Sequence, residues 1–319
     1  MSIANLADDE FLRLADPFRR ELFAHCYRML GSVHDAEDLV QETYLRAWRA
    51  YGRFEGRSSL RTWLHTIATK ACLSALDGKR RRPMPVDLGA HADPDRVPVQ
   101  DTELPWLEPV ADARVADPEA AATEREGLRL ALIAAMQYLP PRQRAVLILR
   151  EVLQWKAAEV AELLDTSVAA VNSMLQRARA QLAEVTPSYD GVREPAEQQR
   201  RELLDRYVAA FERKDIPELV ELFSADIVWE MPPYPEWYLG PEAVGTHLRL
   251  RCPGGPGLIR MVPIAANGRT GFAQYIHLDG AFRAFNLQVL TLGPNGIAHV
   301  ANFRSPELFA HFELPETLD

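Results

Sequence analysis

Residues 156–182 read KAAEVAELLDTSVAAVNSMLQRARAQL, and their reading decides what the rest of the chain is for. Apolar residues recur at helical spacing on both sides of Asp165, so the stretch predicts helix, tight turn, helix. Small Ala161 stands where the two helices must cross closely. Asp165 occupies the turn, where Gly is more usual and Asp tolerates the left-handed conformation nearly as well. In the second helix Val168, Val171, Leu175 and Leu182 form the core stripe. Thr166, Ser167, Asn172, Ser173, Gln176, Arg177 and Arg179 are left on other faces, with no acid between Thr166 and Ala183. A helix that enters a DNA major groove needs donors for base edges and phosphates and no carboxylates against the backbone. An ordinary helical hairpin with a solvated basic face has the same pattern.

Upstream, residues 35–48 read DAEDLVQETYLRAW. Asp35 can cap a helix, with Asp38 in its first turn near the positive dipole end. Ala36, Leu39, Val40, Thr43, Tyr44, Ala47 and Trp48 make one apolar face. Asp35, Glu37, Asp38, Gln41 and Glu42 form an acidic edge just before a segment that turns basic. From Glu42 to Arg82 there are ten Lys/Arg against three acids. Acids beside a DNA-binding surface cannot serve DNA and suit a basic protein partner; a solvated helix edge is the plainer alternative. A second helix starts near Ser58 or Ser59 and carries Leu60, Trp63, Leu64, Ile67, Ala68 and Ala71 on one side. Gly78 stops it. Arg57, Ser58, Arg61, Trp63, His65 and Lys70, followed by Lys79, Arg80, Arg81 and Arg82, mix bases with aromatics in the way a single-strand surface does. Trp63 serves a core equally well, and the terminal cations also suit a helix end.

The chain has 319 residues and a net charge of −9, which by itself argues against nucleic acid. The distribution matters more than the sum. From Pro83 to Glu126 three Arg face eleven acids, in a stretch rich in Pro, Asp and Ala with little periodicity, which predicts a flexible acidic linker. No run approaches a membrane span, the start is not a signal peptide, and Cys26, Cys72 and Cys252 form neither a disulfide framework nor a zinc pattern. A cytoplasmic protein without membrane, metal or cofactor is expected, a monomer by default.

After residues 186–195 the character changes. EQQRRELLDRYVAAFERKDIPELVELF predicts a long and a short helix, followed by β-rich pieces such as GFAQYIHL and AFRAFNLQVLTL. Helices followed by strands read as α+β. Trp229, Tyr234, Trp237 and Tyr238 group around prolines. With His247, Tyr275, His277, Asn286 and His299 they are candidates for a pocket. His277 and Asp279 in HLDG could act as a base from a strand end. Core aromatics and satisfied histidines are the bland alternative, and binding or pure scaffold is preferred to catalysis.

At these residues the chain resembles a known family. DAEDLVQETYLRAWRAYGRFEGRSSLRTWLHTIATKACLSALDGKRRR looks like region 2 of extracytoplasmic-function (ECF) sigma factors of bacterial RNA polymerase. YLPPRQRAVLILREVLQWKAAEVAELLDTSVAAVNSMLQRARAQL looks like their region 4. LLDRYVAAFERKDIPELVELFSADIVWEMPP and YLGPEAVGTHL resemble the SnoaL-like family, a cone of curved sheet and helices that a subset of ECF sigma factors carries. The absence of the Asp-Gly-Gly-Gly-Arg and Trp-Leu-Pro-Glu-Pro motifs of one such group points to a SigG/SigJ-type subgroup.

The resemblance implies a multidomain chain: two all-α sigma domains and an α+β cone-shaped domain. Region 2 spans 1–85, an acidic linker 86–125, region 4 126–186, and a regulatory domain 197–319. It implies that the Asp35–Glu42 surface docks on the β′ clamp helices of core polymerase. It further implies that residues 57–82 melt and read the −10 element, that 166–182 read the −35 element, and that the linker threads the polymerase cleft. Asn172 stands where a basic residue is common. Partners would be core polymerase through β′ and β, promoter DNA, and either an anti-sigma protein or a small-molecule ligand of the last domain. An isomerase- or hydrolase-type enzyme with a localising module, and a plain helix-turn-helix regulator, are the rival readings.

Overall fold

The computed structural model describes residues 10–115, 129–185 and 195–318, which divide into two compact units. The first comprises residues up to 82 and 113–186; the second comprises 83–112 and 187 onward.

In the first unit, helices α1 (Arg19–Leu30), α2 (Val33–Tyr51) and α3 (Leu60–Leu76) pack into a bundle. Gly31, at φ 68°, ends α1. One residue later Ser32, not Asp35, caps α2: its Oγ accepts from the Asp35 backbone N–H at 3.1 Å. The core face of α2 is Ala36, Leu39, Val40, Thr43 and Ala47. Trp48, expected on that face, is 45% exposed. Ser59 caps α3 through the Thr62 N–H. His65 and Thr69 of α3 are fully buried, and His65 stacks edge-on to His25. His65 is therefore a core residue, not part of a nucleic-acid face.

The same unit contains α4 (Leu130–Met136), α5 (Pro141–Leu147) with a π-helical turn after it, α6 (Ala157–Leu163) and α7 (Val168–Val185). Asp165 adopts φ 49°, the left-handed turn the sequence required. Ala161, Val171, Leu175 and Ala178 are buried at the α6–α7 crossing. Val168 and Leu182, at the two ends of the expected stripe, depart from it: Val168 is 45% exposed and Leu182 is half-buried. Arg144 of α5 is 3% exposed and reaches the carbonyl of Met29 in the last turn of α1.

The second unit is α+β. Helices α8 (Glu197–Arg213), α9 (Ile216–Glu221) and α10 (Pro241–Arg251) accompany a seven-stranded sheet ordered β2-β1-β6-β5-β4-β3, with β7 pairing β5. The strands are β1 (Phe223–Met231), β2 (Tyr234–Leu239), β3 (Ile259–Ala266), β4 (Arg269–Leu278), β5 (Ala281–Gly293), β6 (Gly296–Phe303) and β7 (Thr317–Leu318). Pairing is antiparallel except β1–β6. Strand β2 was hidden in sequence by Pro235, and it lies at the edge of the sheet, where a missing N–H is tolerated. The Asp279-Gly280 pair, both at positive φ, is the hairpin turn between β4 and β5.

Residues 83–112 correct the expectation of a flexible linker. Trp106, Leu107, Val110 and Met84 are buried, so the stretch has apolar anchors that its acidity concealed. Its backbone is tied to the second unit along its length. The Ala92 and Asp101 N–H groups donate to the Trp237 and Pro233 carbonyls, each at 2.8 Å. Val110 and Asn267 exchange hydrogen bonds at 2.9 and 3.0 Å, and Ala111 bridges Ala266. The strap thus runs from β2, at one edge of the sheet, to the β3–β4 turn at the other. Residues 116–125 of the expected linker lie outside the described residues.

Candidate functional site

Three surfaces carry the candidate residues. On α7, Asn172, Gln176, Arg177 and Arg179 are exposed and Ser173 is half-buried. Ser167 accepts from the Ala170 N–H at 3.1 Å and so caps the helix. Thr166 is half-buried in the turn. Arg179 pairs with Glu151 at 2.5 Å. Asn172, Gln176 and Arg177 thus form an acid-free row of donors on one helix.

In region α2–α3 the acids and bases expected to serve different partners meet each other. Asp35 lies 2.8 Å from Arg82 and 3.7 Å from Lys79. Burial works against its charge, yet the hydrogen bond and field of Arg82 hold its carboxyl below the usual range. Glu37 pairs with Arg19 and Arg114, and Glu42 with Arg46. Asp38 and Gln41 are exposed. Arg61 forks onto Glu21, and His65 lies 3.3 Å from the same carboxylate. Burial would raise Glu21, but the closeness of His65 and the hydrogen bonds and charge of Arg61 bring it down to about 2. Trp63 is half-buried, 4.8 Å from the Phe54 ring, and Arg57 pairs with Glu55. Ser58, Lys70 and Arg80 are exposed, and Arg81 lies over the Tyr138 ring at 4.1 Å.

The second unit contains a cavity of about 30 Å³. Its floor comprises four amides on one sheet face: Gln274 opposite Asn286, and Gln288 opposite Asn302. A register shift at Gln274/Tyr275 lets Phe285 line the cavity beside Asn286. Trp229, Met231 and Phe211 make an apolar wall; His247 and Arg251 come from α10, and Arg304 follows β6. Of the nine residues the sequence put forward, the structure brings Trp229, His247 and Asn286 to this cavity. Tyr238 stacks on His247 at 4.3 Å behind the lining. Tyr234 and Trp237 meet the strap, through Gln100 and the Gly89 carbonyl. Tyr275 packs on Phe309, and His277 on Phe282. His299 bonds Glu230 at 2.6 Å, and the other Glu230 oxygen accepts from Val86 N–H of the strap. Of the residues missed, Gln288 was legible: it alternates with Asn286 inside the apolar run FNLQVL, which places both on one face.

Burial, aided by the charges of Arg251 and Arg304, pushes His247 down to about 4 from its ordinary 6.5. The unfolded chain therefore binds a proton between pH 6.5 and 4 that the folded protein refuses. Stability contributed by neutral His247 is complete above pH 6.5 and is lost as pH falls toward 4, up to roughly 3 kcal/mol. His247→Gln should flatten the fall in thermal midpoint across that window; an unchanged slope would remove His247 from it.

Among the described residues no helix is long and apolar enough to cross a membrane. Residues 14–82 match the family Sigma-70 region 2, residues 129–182 match Sigma-70, region 4, and residues 204–294 match the SnoaL-like domain. The chain is 52% identical over 314 residues to the ECF RNA polymerase sigma factor SigG of Mycobacterium tuberculosis, covering 97% of this chain and 85% of that one. SigJ of the same species, also an ECF RNA polymerase sigma factor, is 31% identical across 67% of this chain and 62% of its own. A crystal structure of SigJ aligns with a TM-score of 0.63 at 25% identity, covering 94% of this chain and 98% of that one.

Proposed function

The chain belongs to the ECF RNA polymerase sigma factors, and on that premise we propose how its parts divide the work. It binds core RNA polymerase and directs promoter-specific transcription initiation. In our reading α7 reads the −35 element, and the observation that carries this is its exposed, acid-free row of Asn172, Gln176 and Arg177. The 57–82 segment captures the −10 strand, using Ser58, Lys70 and Arg80 as they stand and Arg57 once released from Glu55. Lys79 and Arg82 join once released from Asp35, Arg61 once released from Glu21, and Arg81 once it leaves Tyr138. Trp63 is the aromatic among them.

The α2 edge docks on the β′ clamp helices, with Asp38 and Gln41 presented outward and Glu37 and Glu42 engaged in ion pairs beside them. Asp38→Arg is expected to weaken core-polymerase affinity at least about tenfold, as charge reversal at a polar interface does, without shifting the thermal midpoint. Binding assayed by fluorescence anisotropy tests this, and wild-type affinity would remove α2 from the interface. Arg177→Ala should lower −35-dependent transcription in vitro while leaving core binding intact.

The SnoaL-like domain controls this activity by holding residues 83–112, the chain that joins regions 2 and 4. Its Glu230–His299 pair is 0% and 5% exposed, alternates away from the cavity-lining Trp229 and Met231, and is bonded to the strap. That placement supports a fastening role over acid–base chemistry, and a regulatory domain over an isomerase or hydrolase.

A further inference from the structure

Buried polar groups in native proteins are nearly always paired, so a cluster that is not demands a reason. In the second unit Asn286, Gln288 and Asn302 are 2%, 0% and 5% exposed. The side-chain oxygens of Asn286 and Asn302, the Gln288 amide nitrogen, His247 Nδ1 and Arg251 Nε have no protein partner. Gln288 spends its oxygen on the Tyr207 hydroxyl at 2.9 Å, which fixes its nitrogen toward the chamber. Burying a polar group without a partner is unfavourable, so a fold concerned with stability alone would place apolar side chains here.

Charge narrows the occupant. No Asp or Glu lines the cavity, whereas Arg251 and Arg304 do. Neither arginine forms an ion pair with a carboxylate among the described residues. Arg251 donates to the Asp95 carbonyl at 2.9 Å, and Arg304 to the Tyr234 hydroxyl at 3.3 Å, with its guanidinium over Phe285. Guanidinium groups bind carboxylates by paired, charge-assisted hydrogen bonds, and they do so more strongly away from bulk water. The floor offers both donors and acceptors, which suits hydroxyl or carbonyl groups on the same molecule. At about 30 Å³ the space admits only the smallest carboxylates, not a polyketide or steroid.

We infer that this cavity binds a small organic carboxylate, its oxyanion toward Arg304 and Arg251 and its hydroxyl or carbonyl groups on the Asn286, Gln288 and Asn302 floor. Arg251 also links the site to the strap: one of its nitrogens is bonded to the Asp95 carbonyl, while its buried Nε has no protein partner. Occupancy of the cavity therefore acts on the segment that joins the two sigma regions. The alternative is a structural role, in which the amides merely organise one or two waters.

The test is thermal shift and calorimetry on the full chain with acetate, glycolate, pyruvate and lactate, against lactamide and glycerol as uncharged probes, at fixed ionic strength. At least one carboxylate should raise the midpoint by about 5 °C at saturating concentration, and neither neutral probe should. Arg304→Gln should abolish the shift. Asn302→Leu should abolish it as well, while raising the midpoint of the ligand-free protein, because it replaces an unpaired buried acceptor. Absence of a shift with every carboxylate, equal shifts with the neutral probes, or a lowered ligand-free midpoint in Asn302→Leu would each overturn the assignment; the last would make the amides structural. The measurement involves no polymerase, so its failure leaves the reading of the sigma surfaces untouched.

Discussion

Residues 1–189 should drive more promoter-dependent transcription with core polymerase than the full chain, by roughly tenfold. The reasoning starts from the strap. The resemblance implied that the linker between regions 2 and 4 threads the polymerase cleft, whereas residues 83–112 belong to the second unit. They are fastened at Gly89, Ala92, Asp101, Val110 and Ala111 to β2 and to the β3–β4 turn. To thread a cleft the strap must leave those partners, and the free energy that holds it opposes initiation. Coupling of about 1–3 kcal/mol, common between domains, corresponds to a five- to 150-fold effect. Truncation strips the strap of its partners on β2 and at the β3–β4 turn, so a point variant guards against aggregation as the cause. Trp237→Ala removes the bond to the Gly89 carbonyl and the edge contact with His91 while leaving the β2 backbone in place. It should shift activity in the same direction and expose the strap to protease. Lower activity in both variants would make the domain an obligatory part of the initiating complex and overturn the clamp reading.

Arg144→Ala is expected to lower the thermal midpoint by about 10 °C, the largest effect of any single substitution in the first unit. Its guanidinium serves the Met29 carbonyl, the Gln137 side-chain oxygen at 2.9 Å, and the Gln137 and Leu139 carbonyls at 3.2 and 3.3 Å. These carbonyls lie at or just beyond the C-terminal ends of α1 and α4, where backbone oxygens lack helical partners and a cation is favoured. Burial pushes Arg144 down to about 10 from 12.5, so it remains charged at neutral pH. Removing it leaves several buried acceptors unpaired along with a hole, about 3–5 kcal/mol together. Lys cannot reproduce the fork and should recover less than half. Because Arg144 joins a region 2 helix to region 4, the variant should also open that joint to protease before the rest of the unit melts. A midpoint within 2 °C of wild type would show that the carbonyls find other donors, contrary to this account.

Much of this was legible beforehand because it rests on local pattern. Helical periodicity around Asp165 located the turn, and Asp165 adopts the left-handed conformation its side chain permits. The alternating runs GFAQYIHL and AFRAFNLQVLTL became β4 and β5, and Ala161 and Val171 were recognisable as crossing residues. Periodicity decides which face is apolar, and the nearest neighbours in sequence supply most of the information. The failures are long-range. Nothing local in the acidic edge signalled that Asp35 sits against Arg82, 47 residues away. His65 looked basic and exposed, and it is buried beside His25.

By itself, the sequence determined the family, the order of two sigma regions and a fused α+β domain, and the helices that carry the candidate recognition residues. Each of these depends on spacing within a few turns or strands. Only the tertiary structure decided that the apparent linker is a strap on the fused domain, because its acidic composition argues for solvation while a few anchors such as Trp106 and Val110 bind it. It alone brought Asn286, Asn302 and Arg304 around one chamber. Sheet register and a helix crossing overhead set those distances, and neither is encoded in any short stretch of chain.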